Sequence, residues 1–168
     1  MNSNVYQTQH EFDDEALRIL GEPRQAIIST INPNEVPHSV PIWYLYRDNT
    51  FLISTYSGAR RAKNVLKRPN TRVLVVHSGG WISASGSTRL LRDGEVNVEE
   101  IRHSILERYL TPQGREHFEK AAGFPDDCIM AVTAEKKMAW KSLNIAMSIQ
   151  SSGYSLEESL EWFVPLMH

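Results

Sequence analysis

The chain has 168 residues, 41% of them hydrophobic and 23% charged, and at about 150 residues per domain this is a single domain, residues 1–168, with one ordinary core. Eighteen Lys and Arg against twenty Asp and Glu leave a net charge of -2, which excludes a disordered chain, a fibrous one, and a surface tuned throughout to polyanions. The only cysteine, Cys128, has no partner for an internal disulfide and suits a reducing, cytoplasmic setting. Residues 1–15 are polar and acidic rather than leader-like, and no apolar run reaches the ~20 residues of a membrane span, so neither export nor membrane insertion is expected.

The first periodic segment, residues 13–20, puts Asp13 and Asp14 at a helix N-terminus and Ala16, Leu17 and Leu20 on an apolar stripe; Gly21 and Pro23 end it. From Arg24 the period changes to two. Residues 26–31 read as a strand buried on both faces, Asn32, Pro33 and Asn34 as a turn, and 36–47 as the returning strand of a hairpin. Pro37 and Pro41 cannot donate ladder hydrogen bonds, which assigns that strand to an edge or a bulge. A turn at Asp48 and Asn49 leads to a third strand, 50–56, and then to a short helix with Ala62, Val65 and Leu66 on one face, closed by Pro69.

Residues 72–77 and 81–92 form two further strands joined by 78–80. The period then turns helical over 97–122, broken at Thr111 and Pro112, so that a helical insertion separates the strands. Residues 128–138 return to strand character, and 155–163 form a last amphipathic helix with Ser155 and Glu158 as a capping box. This order fits a mainly β fold: a six-stranded antiparallel barrel with helices packed outside, closed to avoid exposed edges.

Chemistry concentrates in the stretch from Ser54 to Arg68, where five of the eighteen basic residues fall within nine positions. They sit at a strand-to-helix junction, whose free N–H groups and dipole favour an anion, and Ser54 and Thr55 add hydroxyl donors. A phosphate is the natural guest, with Arg60 and Arg61 as two-pronged ligands and Lys63 as a point charge. The competing reading is a solvated helix face. Position separates the two: Arg60 and Arg61 occupy the first turn, where the dipole disfavours cations lacking an anionic partner, whereas Lys67 and Arg68 occupy the last, where it welcomes them.

Taken with "VPHSVPIWYLY" (36–46), "FLISTYSGARRAKNVLKRPNTRVLVV" (51–76) and "WISASGSTRLL" (81–91), this stretch resembles the pyridoxamine phosphate oxidase-like flavin split-barrel superfamily over residues 24–91. The resemblance implies a split-barrel homodimer with flavin at the interface, acting as an oxidoreductase that moves hydride or electrons between the flavin and a small organic substrate. FMN is the implied cofactor and the deazaflavin coenzyme F-420 the alternative. Thr55 matches the Thr of the family's phosphate segment; Ala59 stands where Ser is common, Arg61 where Lys is common, and Asn64 with Val65 replaces Asn-Leu. The charge is kept and one hydroxyl is lost. By the same resemblance the backbone at Ile42 and Trp43 lines the flavin ring, while Trp81 and Trp140 approach it from the partner subunit. The ending "EWFVPLMH" lacks the Arg-Leu-x-Pro pattern of the oxidase that makes pyridoxal phosphate, so the resemblance extends to the superfamily and not to vitamin B6 synthesis.

The six histidines show no pair at metal-ligand spacing, and no metal is expected. His38 and His77 lie on strands and read first as hydrogen-bonded structural residues, with a place facing the cofactor as the alternative, and His38 falls within the resembling segment; Cys128, among apolar neighbours, reads as an inert core thiol. No catalytic side chain is assigned. Two other readings stand beside the enzyme: a non-catalytic flavin or haem carrier or sensor of the same fold, and a barrel gripping single-stranded nucleic acid through residues 60–68, which the acidic overall balance opposes.

Overall fold

The computed structural model describes residues 7–9, 11–77, 80–121, 126–141 and 153. The helix expected at 155–163 lies outside them. In chain order the elements are β1 (Gln7–Gln9), α1 (Asp14–Gly21), β2 (Ala26–Ile31), β3 (Pro37–Ile42), β4 (Leu45–Arg47), β5 (Thr50–Tyr56), α2 (Arg60–Lys67), β6 (Asn70–His77), β7 (Gly80–Leu91), α3 (Val98–Tyr109), α4 (Pro112–Ala121), β8 (Asp127–Thr133) and β9 (Lys136–Lys141). Nine strands therefore stand among the described residues where six were expected. The run 36–47 breaks into β3 and β4, the run 128–138 breaks into β8 and β9, and β1 pairs with β9.

All the strand pairs are antiparallel, and the hydrogen-bonded path runs β3-β2-β6-β7-β8-β5-β4, with β9 against β7. The two ends of this path, β3 and β4, are separated in the chain only by Trp43 and Tyr44, which forces the sheet to curl into a half-barrel. Pro37 and Pro41 lie on β3, paired on one side only, as their missing N–H groups require. The β4–β5 turn is tight because Asp48 and Asn49 both adopt positive φ, 49° and 59°, the conformation of a two-residue hairpin loop, and Asp and Asn accept it more readily than most residues.

β7 binds the halves together. Its first part pairs with β6 and β9, and its last residues, Thr88 to Leu91, pair with β8. Gly86 lies where it passes between them. A Cβ there would sit 2.0 Å from the Thr133 carbonyl oxygen, so this crossing requires a glycine.

The barrel interior is filled by Leu20, Ile28, Tyr44, Phe51, Ile53, Val73, Val75, Ile82, Met130 and Val132. A second cluster joins Leu52 and Ile129, on the opposite faces of β5 and β8, to Val98, Ile101 and Ile105 of α3. The insertion thus covers the outside of β5 and β8, and these strands are buried on both faces. β2 is not, contrary to the sequence expectation: Ala26, Ile28 and Thr30 face the core, but Ile27 is 39% exposed, and Val76 on β6 is 54% exposed.

Two helix faces also differ from the sequence pattern. In α1, Ile19 rather than Leu17 joins Ala16 and Leu20 in the core. In α2, Leu66 is 70% exposed, and the buried position is taken by Asn64 beside Ala62 and Val65. The Asn64 amide donates to Thr30 Oγ1 at 3.0 Å and to Asn32 Oδ1 at 3.1 Å. A buried amide with both donors satisfied fixes the helix against β2 more specifically than another leucine would.

Gly86→Ala should lose at least about 2 kcal/mol of stability, because a backbone oxygen cannot yield to the new methyl as a flexible side chain could. Urea unfolding measures this; an unchanged midpoint would contradict the crossing geometry.

Candidate functional site

α2 is built differently from the other helices. α1 is capped by Asp13, whose carboxylate accepts the Ala16 N–H at 2.8 Å, and α3 by Asn97, whose side chain accepts the Glu100 N–H at 3.0 Å. At α4, Thr111 Oγ1 accepts the Gly114 N–H at 3.2 Å. The N-cap of α2 is Ala59, which offers no side-chain cap, and its first turn holds no acidic residue but Arg60 and Arg61. A missing cap costs about 1 kcal/mol and each misplaced cation roughly 0.3–1 kcal/mol. An anion seated at this terminus reverses the sign of both effects.

A cavity of about 410 Å³ opens beside it. Pro41, Ile42 and Trp43 at the end of β3, Ser54, Thr55 and Tyr56 at the end of β5, Arg61 of α2 and Asp127 at the start of β8 form the barrel side, with Gln25. Arg102, Ile105 and Leu106 of α3 and Phe118 of α4 form the other wall. Five of the sequence-assigned residues, Ile42, Trp43, Ser54, Thr55 and Arg61, therefore meet in one place. Arg60 faces away, into a second hollow of about 460 Å³ shared with Asn32, Pro33, Asn34 and His38. Lys63 is exposed and lines neither. Trp81 lines neither; on the backbone it is the register partner of Trp140, on β7 and β9.

Two residues of the lining carry buried polar atoms that have no hydrogen-bond partner among the described residues. Thr55 is 5% exposed, and among the described residues its Oγ1 has no hydrogen-bond partner; Arg61 Nε is also buried without one. Arg108 Nε shares this condition, but its guanidinium is otherwise engaged: Nη2 donates to the carbonyls of Leu20, at 2.5 Å, and Glu22, and the group lies over the Tyr44 ring at 5.0 Å. Arg61 forms no ion pair among the described residues. Burial pulls its pKa below the usual arginine value, with Tyr56 and Cys128 opposing the shift. Arginine does not give up its proton in proteins, so the shift expresses the strain of a cation desolvated without a counter-ion.

The aromatic wall is fixed by the insertion. Trp43 stacks on Tyr109 of α3, ring centres 5.1 Å apart and planes 6° from parallel, and Phe118 approaches it at 6.0 Å. The Tyr109 hydroxyl donates to the Arg24 carbonyl at 2.7 Å. Opposite, burial raises the Asp127 carboxyl pKa, Arg102 counteracts the shift and Glu99 adds to it.

The residues missed in the sequence are those on the second wall, Arg102, Ile105, Leu106 and Phe118, together with Asp127, Tyr56 and Gln25. The helical period of 97–122 was legible, but nothing local tells which of its faces meets a cavity. His38 borders the second hollow, and burial and Arg24 lower the His77 pKa. Among the described residues no group of three His, Cys, Asp or Glu is placed to hold a metal ion, and no helix is long and apolar enough to cross a membrane.

Residues 12–141 match the family described as Pyridoxamine 5'-phosphate oxidase, and the chain belongs to it. Solved structures share the fold. HutZ, described as the heme storage protein from Vibrio cholerae, superposes with a TM-score of 0.62 at 11% identity, over 77% of this chain and 94% of its own. A FAD-binding protein from Mesorhizobium loti gives 0.56 at 16%, over 81% and 97%. An F420 reductase gives 0.57 at 14%, over 73% and 94%. At these identities the likeness shows the fold alone. A search of the curated proteins finds no match.

Thr55→Val removes the unpartnered hydroxyl while keeping its shape. The ligand-free protein should become more stable by about 1–3 kcal/mol, the desolvation penalty of an unsatisfied buried group. Chemical denaturation of wild type and variant checks this, and a destabilised variant would show that the hydroxyl already has a partner.

Proposed function

We propose that this protein binds a flavin through its phosphate and works as an oxidoreductase, exchanging hydride or electrons with a small organic substrate. One observation carries the reading: Thr55 and Arg61 line one cavity beside an uncapped helix N-terminus, and among the described residues their buried Oγ1 and Nε lack the partner that an anionic oxygen would be. Two charge-assisted hydrogen bonds, each worth about 1.5–3 kcal/mol, outweigh the cap and dipole deficits that the empty-handed residues leave behind.

The same geometry supports a ring beyond the phosphate. Ile42 and Trp43 offer a flat apolar surface, held rigid because the indole is already stacked on Tyr109. Ile105, Leu106 and Phe118 exclude water from the opposite side, which strengthens every charge interaction inside. When bound, the flavin supplies the redox chemistry; the protein holds, orients and shields it. FMN, ending in a phosphate, is the cofactor this lining supports first. The deazaflavin F-420 is the alternative, its longer anionic tail passing toward Arg60. The described lining holds two arginines, a threonine and a serine, which favour a phosphate; of the side chains that ligate haem iron it offers Tyr56 but no histidine, methionine or cysteine.

The exposed Ile27 and Val76, with Trp81 paired opposite Val76, suit a homodimer in which this sheet face meets its copy. Cys128, buried and the only cysteine, suits the cytoplasm.

The purified protein should bind FMN and quench its fluorescence. Arg61→Ala should weaken that binding by about 1.5–3 kcal/mol, and Arg60→Ala by less than about 0.5 kcal/mol. Equal losses for the two would refute the assignment of Arg61 to the phosphate. If the bound, reduced flavin passes electrons to no quinone, nitro compound or oxygen, the carrier reading replaces the enzyme.

A further inference from the structure

The phosphate segment of this chain lacks the hydroxyl at position 59, and the structure places a second guanidinium in the same cavity. Arg102 enters from α3, 41 residues downstream of Arg61 by sequence number. Its side chain is only 17% exposed, and one terminal nitrogen is held by both oxygens of the largely exposed Glu99, at 2.9 and 3.1 Å. Its remaining nitrogens make no hydrogen bond among the described residues.

The two arginines flank the start of β8. Tyr56 and Thr55 on β5 pair in register with Asp127 and Cys128; Arg61 acts electrostatically on Cys128 and Arg102 on Asp127. Asp127 itself lines the cavity and forms no ion pair among the described residues. An anion entering beside Thr55 therefore meets a carboxylate, and the cation positioned to offset that carboxylate is Arg102.

We propose that Arg102 completes the anion cradle: the helical insertion supplies a second arginine that contacts the phosphate opposite Thr55 and Arg61 and offsets Asp127. This rests on the flavin-phosphate reading and adds to it a binding residue outside the phosphate segment. The insertion is then part of the cofactor site and not only a cover for β5 and β8. Asp127 sets a limit on the cradle, since its charge opposes a dianionic guest.

The test compares FMN with riboflavin, which has the ring and lacks the phosphate, by fluorescence titration. Arg102→Ala should weaken FMN about 10- to 100-fold and leave riboflavin unchanged, with Arg102→Lys intermediate. Asp127→Asn should tighten FMN several-fold, and adding it to Arg102→Ala should recover part of the loss. Circular dichroism and thermal melting establish that each variant is folded. An unchanged FMN affinity in Arg102→Ala, or an equal loss for riboflavin, overturns the cradle and leaves Arg102 a packing residue. If wild type binds neither flavin, titration with inorganic phosphate decides. Arg102-dependent phosphate binding then keeps the cradle and removes the flavin, and absence of phosphate binding removes both.

Discussion

Two residues of one cavity, Thr55 and Arg61, carry a buried hydroxyl and a buried guanidinium nitrogen without partners among the described residues, beside a helix that begins with two arginines and no side-chain cap. This is the constraint on which the site depends. Natural interiors seldom leave such groups unsatisfied, because each forfeits about 1–3 kcal/mol. The other helices show that the chain caps helix termini where nothing else is needed: Asp13, Asn97 and Thr111 each accept a backbone N–H. The exception at Ala59 is local, and it coincides with the orphaned atoms. An anion removes both deficits at once.

The scaffold holds this unfavourable arrangement in place. Asn64, buried and bonded to Thr30 and Asn32, ties α2 to β2. Pairing of β5 with β8 over the whole of Thr50–Tyr56 fixes Thr55 where β5 ends. The α3–α4 insertion then closes the space from outside, anchored by Ile101 and Ile105 in the second core cluster and by the Trp43–Tyr109 stack. Rigid elements on both sides allow a functional site to keep polar groups unsatisfied until a ligand arrives.

The hairpin of β2 and β3, the limits of α2 and the helical character of the insertion were readable because each is encoded locally, by alternation, by Pro37 and Pro41, and by a spacing of three or four. What could not be read depends on partners far along the chain. The division of 36–47 at Trp43 and Tyr44 follows from the curl of the sheet, and that of 128–138 from the exit of β8 beside Asn49, whose carbonyl accepts the Ala134 N–H at 2.9 Å. A periodic pattern places Leu66 inside and Asn64 outside; a pair of hydrogen bonds, to Thr30 on β2 and to Asn32 in the turn after it, reverses the choice. Thr55 and Arg61 were legible as a motif, but that Arg60 turns away while Arg102 and Asp127 turn in is a property of the assembled walls.

The most direct measurement is a crystal structure with FMN bound. The account predicts a phosphate oxygen within about 3.2 Å of both Thr55 Oγ1 and Arg61 Nε, with the ring against Ile42 and Trp43. A flavin bound elsewhere, or one whose phosphate leaves those two atoms unpartnered, would contradict it.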